Sequence, residues 1–260
     1  MTNSFTAHNI RLDDGTLTVP ACPWEVSQDA WFKAAKRALT LAFPGGLAGV
    51  RLVDLGCLEG GYATEFARLG MEVLGIEVRR SNFENCLLVK AGVDLPNLSF
   101  AHDDAWNIEK YGEFDAVFCS GLLYHLDRPR EFIGLTSRRC RTICLYQTHF
   151  ASEAGAPAVD KFGLSPVTEN EGVRGRWFHE HDAASVDELD LEALKWASWK
   201  NQRSFWLLRE ELVGIIHENG FDMVFEQYDC LSAPLSADML SGYYQTDDRC
   251  LFVGVKTGIR

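Results

Sequence analysis

The stretch VDLGCLEGGYATEF, Val53 to Phe66, runs a short apolar strand into glycines and the glycines into a helical segment. Asp54, Gly56, Gly60 and Gly61 stand at the turn itself. In a doubly wound sheet ligands bind at the carboxyl ends of strands, where glycine lets them approach the backbone and a helix start offers free N–H groups. The same turn also reads as plain strand-to-helix chemistry, so its neighbours must decide. Outward from it the chain alternates. AWFKAAKRALTLAF (Ala30 to Phe43) spaces Trp31, Ala35, Leu39 and Phe43 four apart, an amphipathic helix within an N-terminal helical extension over residues 1–45. RLVDL is a buried strand, YATEFARLG a helix closed by Gly70, and MEVLGIEV the second strand. NFENCLLVKAG is the next helix, LSFAHDDA and FDAVFCSG are strands, PREFIGLTSR is a helix with Pro129 in its first turn, and RTICLYQT is a fifth strand. Strands that alternate with helices in this way form a parallel sheet with right-handed crossovers.

The end of the chain breaks the rhythm. FWLLREELVGIIHENG reads as a helix with Leu208, Leu212, Ile215 and Ile216 on one stripe, closed by Gly220. FDMVFEQYD and CLFVGVK follow with no helical segment between them long enough for a crossover, so they are most simply read as antiparallel. The expected fold class is α/β: a doubly wound, mostly parallel seven-stranded Rossmann-like sheet with an antiparallel C-terminal strand. The chain is read as one domain over 1–260, with an insertion at 148–204.

Bulk properties narrow the function. The 260 residues carry a formal charge of −12, which argues against general affinity for nucleic acid, whose backbone is held by clustered Lys and Arg. No apolar run approaches the roughly 18 residues of a membrane helix, and the start has no secretory pattern. Eight scattered cysteines with no CxxC pair read as reduced thiols of a cytoplasmic protein. HEH (His179 to His181) is read as polar surface of a loop, and no metal site is expected.

Several strand ends carry polar groups in register. Glu77 ends the second strand, where a carboxylate accepts hydrogen bonds from ribose hydroxyls. Asp104 follows the third strand, and Cys119, Ser120 and Gly121 end the fourth. Gly56 to Gly61 reads GCLEGG, so Leu58 stands where the dinucleotide fingerprint GxGxxG has its middle glycine, which disfavours a nicotinamide-linked oxidoreductase.

Taken in order, VDLGCLEGGYAT, VLGIEV, FAHDDA and FDAVFCSGLLYHL resemble the successive motifs of class I S-adenosylmethionine-dependent methyltransferases, over roughly Arg51 to Gln147. The resemblance implies S-adenosyl-L-methionine as cofactor. It implies that Asp54 and the Gly56–Gly60 backbone, with Cys57, Leu58 and Tyr62, hold the methionine part. Glu77 would take the ribose and Val78 the adenine face; Asp104, beside Asp103, would accept from the adenine amino group with the Ala105 N–H assisting. Cys119, Ser120 and Gly121 would line the sulfonium. Leu58 departs from the family's usual glycine.

Methyl transfer is an in-line displacement for which the cofactor carries the hard chemistry, so the protein positions the acceptor and, for a hydroxyl or ammonium, removes a proton. His125, after the fourth strand, and His149, after the fifth, are candidate bases; His125 also reads as a helix-capping or buried histidine. Tyr124 is a contact residue beside them. In the insertion, Trp177, Trp196 and Trp199, with Asn201, Gln202 and Arg203 as polar handles, are expected to form a lid over a small-molecule acceptor, with SVDELDLEALKWASWKN (185–201) helical. GLLYHLDRP also resembles tRNA wobble-uridine modifying transferases of the same superfamily, some of which use a carboxylated cofactor; a non-catalytic cofactor-binding subunit is the remaining alternative.

Overall fold

The computed structural model describes residues 5–153, 162–182, 188–227 and 248–258. Helix α1 spans Ala30–Ala42, and its first turn is capped by the Asp29 carboxylate, which accepts from the Trp31 and Phe32 N–H groups. There follow β1 (Arg51–Leu55), α2 (Gly61–Arg68), β2 (Glu72–Glu77), α3 (Arg80–Gly92), β3 (Leu98–His102), β4 (Phe114–Ser120), α4 (Pro129–Arg138) and β5 (Cys140–His149). Beyond these come β6 (Thr168–Asn170), β7 (Val173–His179), α5 (Glu188–Ala193), β8 (Arg203–Leu207), α6 (Arg209–Glu218), β9 (Met223–Gln227) and β10 (Arg249–Val255).

Seven strands form one sheet in the order β3-β2-β1-β4-β5-β10-β9. Strand β1 pairs parallel with β2 and β4, β2 pairs parallel with β3, and β10 pairs antiparallel with β9. The expected doubly wound α/β sheet with an antiparallel C-terminal pair is therefore present. Leu52, Val53 and Leu55 are fully buried, as a strand covered on both faces requires. The order reverses between β1 and β4, which makes the carboxyl end of β1 the switch point where such sheets bind ligands.

The chain, expected as one domain, groups into two compact units: Met1–Ser120 with Arg139–Ile143, and Gly121–Arg138 with Cys144–Arg260. In the first unit, Phe66 of α2 meets Phe118 of β4 and Phe32 of α1 at centroid distances of 5.1 and 5.3 Å, tying both helices to the sheet. The second unit holds a further three-stranded antiparallel sheet, β6-β7-β8.

That second sheet corrects one expectation. The run from Phe205 has the pattern of a helix start, but Phe205 to Leu207 lie in β8 and the helix begins only at Arg209. Three consecutive buried apolar residues fit a two-sided strand as well as a helix, and pairing with β7 decides. Of the helix expected over 185–201, residues 188–193 are helical as α5, and 185–187 lie outside the described residues. No helix among the described residues is long and apolar enough to cross a membrane.

Candidate functional site

In the first unit the Gly-rich turn is built from alternating left-handed residues: Gly56 at φ 69°, Leu58 at φ 53° and Gly60 at φ 77°. Gly60 has no alternative, since a Cβ there would lie 2.5 Å from the Phe100 ring, which floors the turn. Leu58 thus takes the backbone conformation of the glycine it replaces, at a cost of about 1 kcal/mol. The strain is held in place by hydrogen bonds, because the Leu58 N–H donates to Glu77 Oε2 at 2.9 Å. The departure seen in the sequence is therefore accommodated by a left-handed Leu58.

Two carboxylates are buried beside this turn. Asp54 is 1% exposed and its Oδ2 has no hydrogen-bond partner. Burial pushes its carboxyl up to about 8, against the opposing hydrogen bond from the Ala63 N–H, and nearby Glu77 adds to the rise. Glu77 accepts from the Leu58 N–H and from the Arg79 N–H at 2.8 Å, yet burial still lifts it to about 7. An orphaned carboxylate oxygen and a buried pair held partly neutral are what a cationic, hydrogen-bond-donating ligand would relieve. The S-adenosylmethionine expected from the sequence has that chemistry, and the residues fit it.

The other expected cofactor residues divide. Val78 is half-buried, and its carbonyl meets His102 Nε2 at 3.0 Å. Asp104 caps the following 3₁₀ turn through the Trp106 N–H, and Ala105 is buried. Asp103 is a structural hub: Oδ1 accepts from Asp104 N–H and Asn107, and Oδ2 from Lys110 and Tyr111. Burial opposes this, but these donors hold its carboxyl down at about 2. Tyr62 donates to Asp29 at 3.1 Å and sets its ring edge against Phe118. Cys57 is buried with its Sγ 3.9 Å from that of Cys86, and burial pushes its thiol well up. Cys119 is fully buried, and Ser120 is half-buried at the end of β4.

Glu59 carries no signal of its role in the sequence pattern. Fully buried within the turn, it accepts from three successive N–H groups, those of Thr6, Ala7 and His8, and from the Asn85 amide. Burial alone would raise its carboxyl, but these donors and His8 bring it below the usual range. His8 completes the clasp by accepting the Gly61 N–H at Nδ1, 3.0 Å away. Its burial lowers its pKa, and accepting that N–H means that Nδ1 carries no proton.

In the second unit, Gly121 donates its N–H to the Gln147 carbonyl, and the chain then makes a 3₁₀ turn at Leu123–His125. His125 Nδ1 lies 2.9 Å from Glu180 Oε1, a carboxylate whose side chain is 1% exposed. Glu180 Oε2 accepts the Ser198 N–H. An ionised carboxylate only accepts, so this contact is one that a proton on Nδ1 would make, with Nε2 as the other ring nitrogen. Glu180 lies between the two histidines read as polar loop surface: His179 is exposed but ends β7 and pairs with Asp182, whereas both ring nitrogens of His181 are buried, which corrects the reading for it. His149 repeats the theme with Asp248, at 3.3 Å from Oδ1. It stacks on Trp206 at 4.9 Å and 13°, and Tyr124, Phe162 and Phe178 contact the same indole.

The expected acceptor residues are dispersed by comparison. Asn201 is no free handle, because its amide donates to the His125 and Arg203 carbonyls and so secures the histidine's turn. Trp177 packs on Phe205 under the Arg203 guanidinium. Trp199 is half-buried, and Trp196 is 65% exposed. Glu180, Asp248 and Trp206 are gathered around the two histidines.

Residues 27–226 match a family model described as a methyltransferase domain. A ubiquinone biosynthesis O-methyltransferase of Acinetobacter baylyi is 29% identical over 101 residues, 38% of this chain and 41% of that protein. A tRNA U34 carboxymethyltransferase of Trichodesmium erythraeum is 27% identical over 168 residues, 60% of this chain and 51% of that protein. The matched stretches thus span about half or less of these relatives. Among solved structures, the N-terminal domain of EvdMO1 with SAH bound superposes with a TM-score of 0.60 at 23% identity, covering 88% of this chain and 81% of that one. Magnesium protoporphyrin IX methyltransferase from Synechocystis, with SAH bound, gives 0.53 at 14% identity over 87% of this chain and 83% of that one. Both likenesses concern the fold.

Proposed function

The chain belongs to the methyltransferase-domain family, as a class I S-adenosylmethionine-dependent enzyme, and from this premise we propose that it methylates a hydroxyl group of a small-molecule acceptor. The observation that carries the reading is the His125–Glu180 pair. A hydroxyl is protonated at neutral pH and needs a base in the transition state, whereas an unprotonated amine does not. His125 Nε2 takes the acceptor proton; Glu180 fixes the tautomer and stabilises the imidazolium that results. The bound cofactor supplies an electrophilic methyl and a neutral leaving sulfide. Asp54, Glu77 and the Leu58–Gly60 backbone hold it, with Glu77 facing its ribose. Tyr124, His149 and Trp206 exclude water from the acceptor and orient it. The small-molecule O-methyltransferase relatives support this acceptor class.

Incubation with S-adenosylmethionine and a panel of phenols, alcohols and amines, followed by mass spectrometry, tests the reading. Methylated phenol or alcohol is expected, with His125→Ala lowering kcat by about 10² or more and leaving cofactor affinity unchanged. Glu180→Gln should lower kcat less than His125→Ala. An amine-only product formed equally well by His125→Ala would sink the hydroxyl assignment. The second reading, transfer to tRNA, is favoured by the 168-residue match to the carboxymethyltransferase and disfavoured by the charge of −12. Label appearing on tRNA with either form of the cofactor would establish it.

A further inference from the structure

Two arginines alternate on β7 and have opposite surroundings. Arg174 is half-exposed and pairs with both Glu153 and Glu211. Arg176 is only 9% exposed and forms no ion pair among the described residues. One nitrogen, Nη2, donates to the Glu153 backbone carbonyl at 2.9 Å; Nε is buried with no acceptor. An uncompensated buried guanidinium costs several kcal/mol, so a fold does not keep one without a counter-charge. Here the sequence placed two carboxylates within reach of the neighbour that needs them least.

Arg176 stands directly opposite Trp206 across the β7–β8 ladder, and directly opposite residues share a face. That face is the one on which His149, Tyr124, Phe162 and Phe178 meet the indole. Trp206 adds a buried Nε1–H that has no acceptor either. Two donors without acceptors therefore flank a wall of flat rings. We propose that Arg176 is a binding residue for a carboxylate carried by an aromatic acceptor, with its Nε edge as the free side of a two-point contact and the Trp206 N–H as an auxiliary donor. The aromatic wall fits a planar ring, and the guanidinium sets which ring is taken: an acid in preference to its neutral analogue.

This rests on the proposed methylation of a small-molecule acceptor, and the test separates the two ideas. The protein is first shown by calorimetry to bind S-adenosylhomocysteine; failure there counts against the methyltransferase reading itself. With that ligand bound, benzoate, 4-hydroxybenzoate and indole-3-acetate are each titrated against their amides. At least one acid is expected to bind about tenfold or more tighter than its amide, the range for a hydrogen-bonded charge pair. In Arg176→Met that preference should vanish while the melting temperature holds or rises, because a buried unpaired charge has been removed. Acids and amides binding alike, or no acid binding at all, overturns the proposal. So does an Arg176→Met variant that keeps the preference, melts lower or fails to fold, since the arginine would then be structural.

Discussion

Asp54 and Glu77 are two carboxyl groups kept from water before any ligand arrives. Asp54 titrates near 8 when folded against 3.8 when exposed, so the folded state holds a proton that the unfolded chain releases between those values. A carboxyl raised in this way contributes stability that is fully present below the unfolded value and is lost as pH rises through the folded one. Asp54→Asn keeps an acceptor for the Ala63 N–H and removes the titration. The variant should therefore gain stability over wild type between about pH 5 and about pH 8, as urea melts at both values would reveal. A constant difference across that range would mean that Asp54 is already ionised in the folded protein. Glu77 acts in the same direction with a window closing near 7.

At the level of elements, the Gly-rich turn makes a prediction that runs against ordinary propensity. Glycine normally destabilises relative to alanine, but at the left-handed Leu58 the order reverses. Leu58→Gly should be more stable than Leu58→Ala by about 1 kcal/mol in chemical denaturation; the ordinary order would show that the loop relaxes when its side chain is removed. The turn and its strands were legible from sequence because period and punctuation are local: RLVDL before the glycines, YATEF after them. The second sheet was not legible. RSFWL pairs with VRGRWFH, which lies far upstream, and only that pairing makes it a strand. The same limit hid Glu180, which looks like solvent-facing charge between two histidines until His125 is brought onto it. His125 and His149 were found because they follow strand ends, a rule about order along the chain; their carboxylate partners obey no such rule.

For the molecule as a whole, the grip of Glu59 on Thr6, Ala7 and His8 bears on where the catalytic fold can be said to begin. The family match starts at residue 27, and a boundary drawn there looks natural. Trimmed at that point, the chain would lose all three backbone donors to a fully buried carboxylate and the acceptor for the first N–H of α2. Each buried polar group left unsatisfied costs about 1–3 kcal/mol, which for a marginally stable domain is enough to matter. A version beginning at residue 27 should melt well below the parent, and restoring only residues 5–10 as a separate peptide should recover part of the loss. Equal melting temperatures would make the leading segment dispensable. Otherwise the boundary of the family match is not a physical one here: the glycine turn is finished by residues that lie before it.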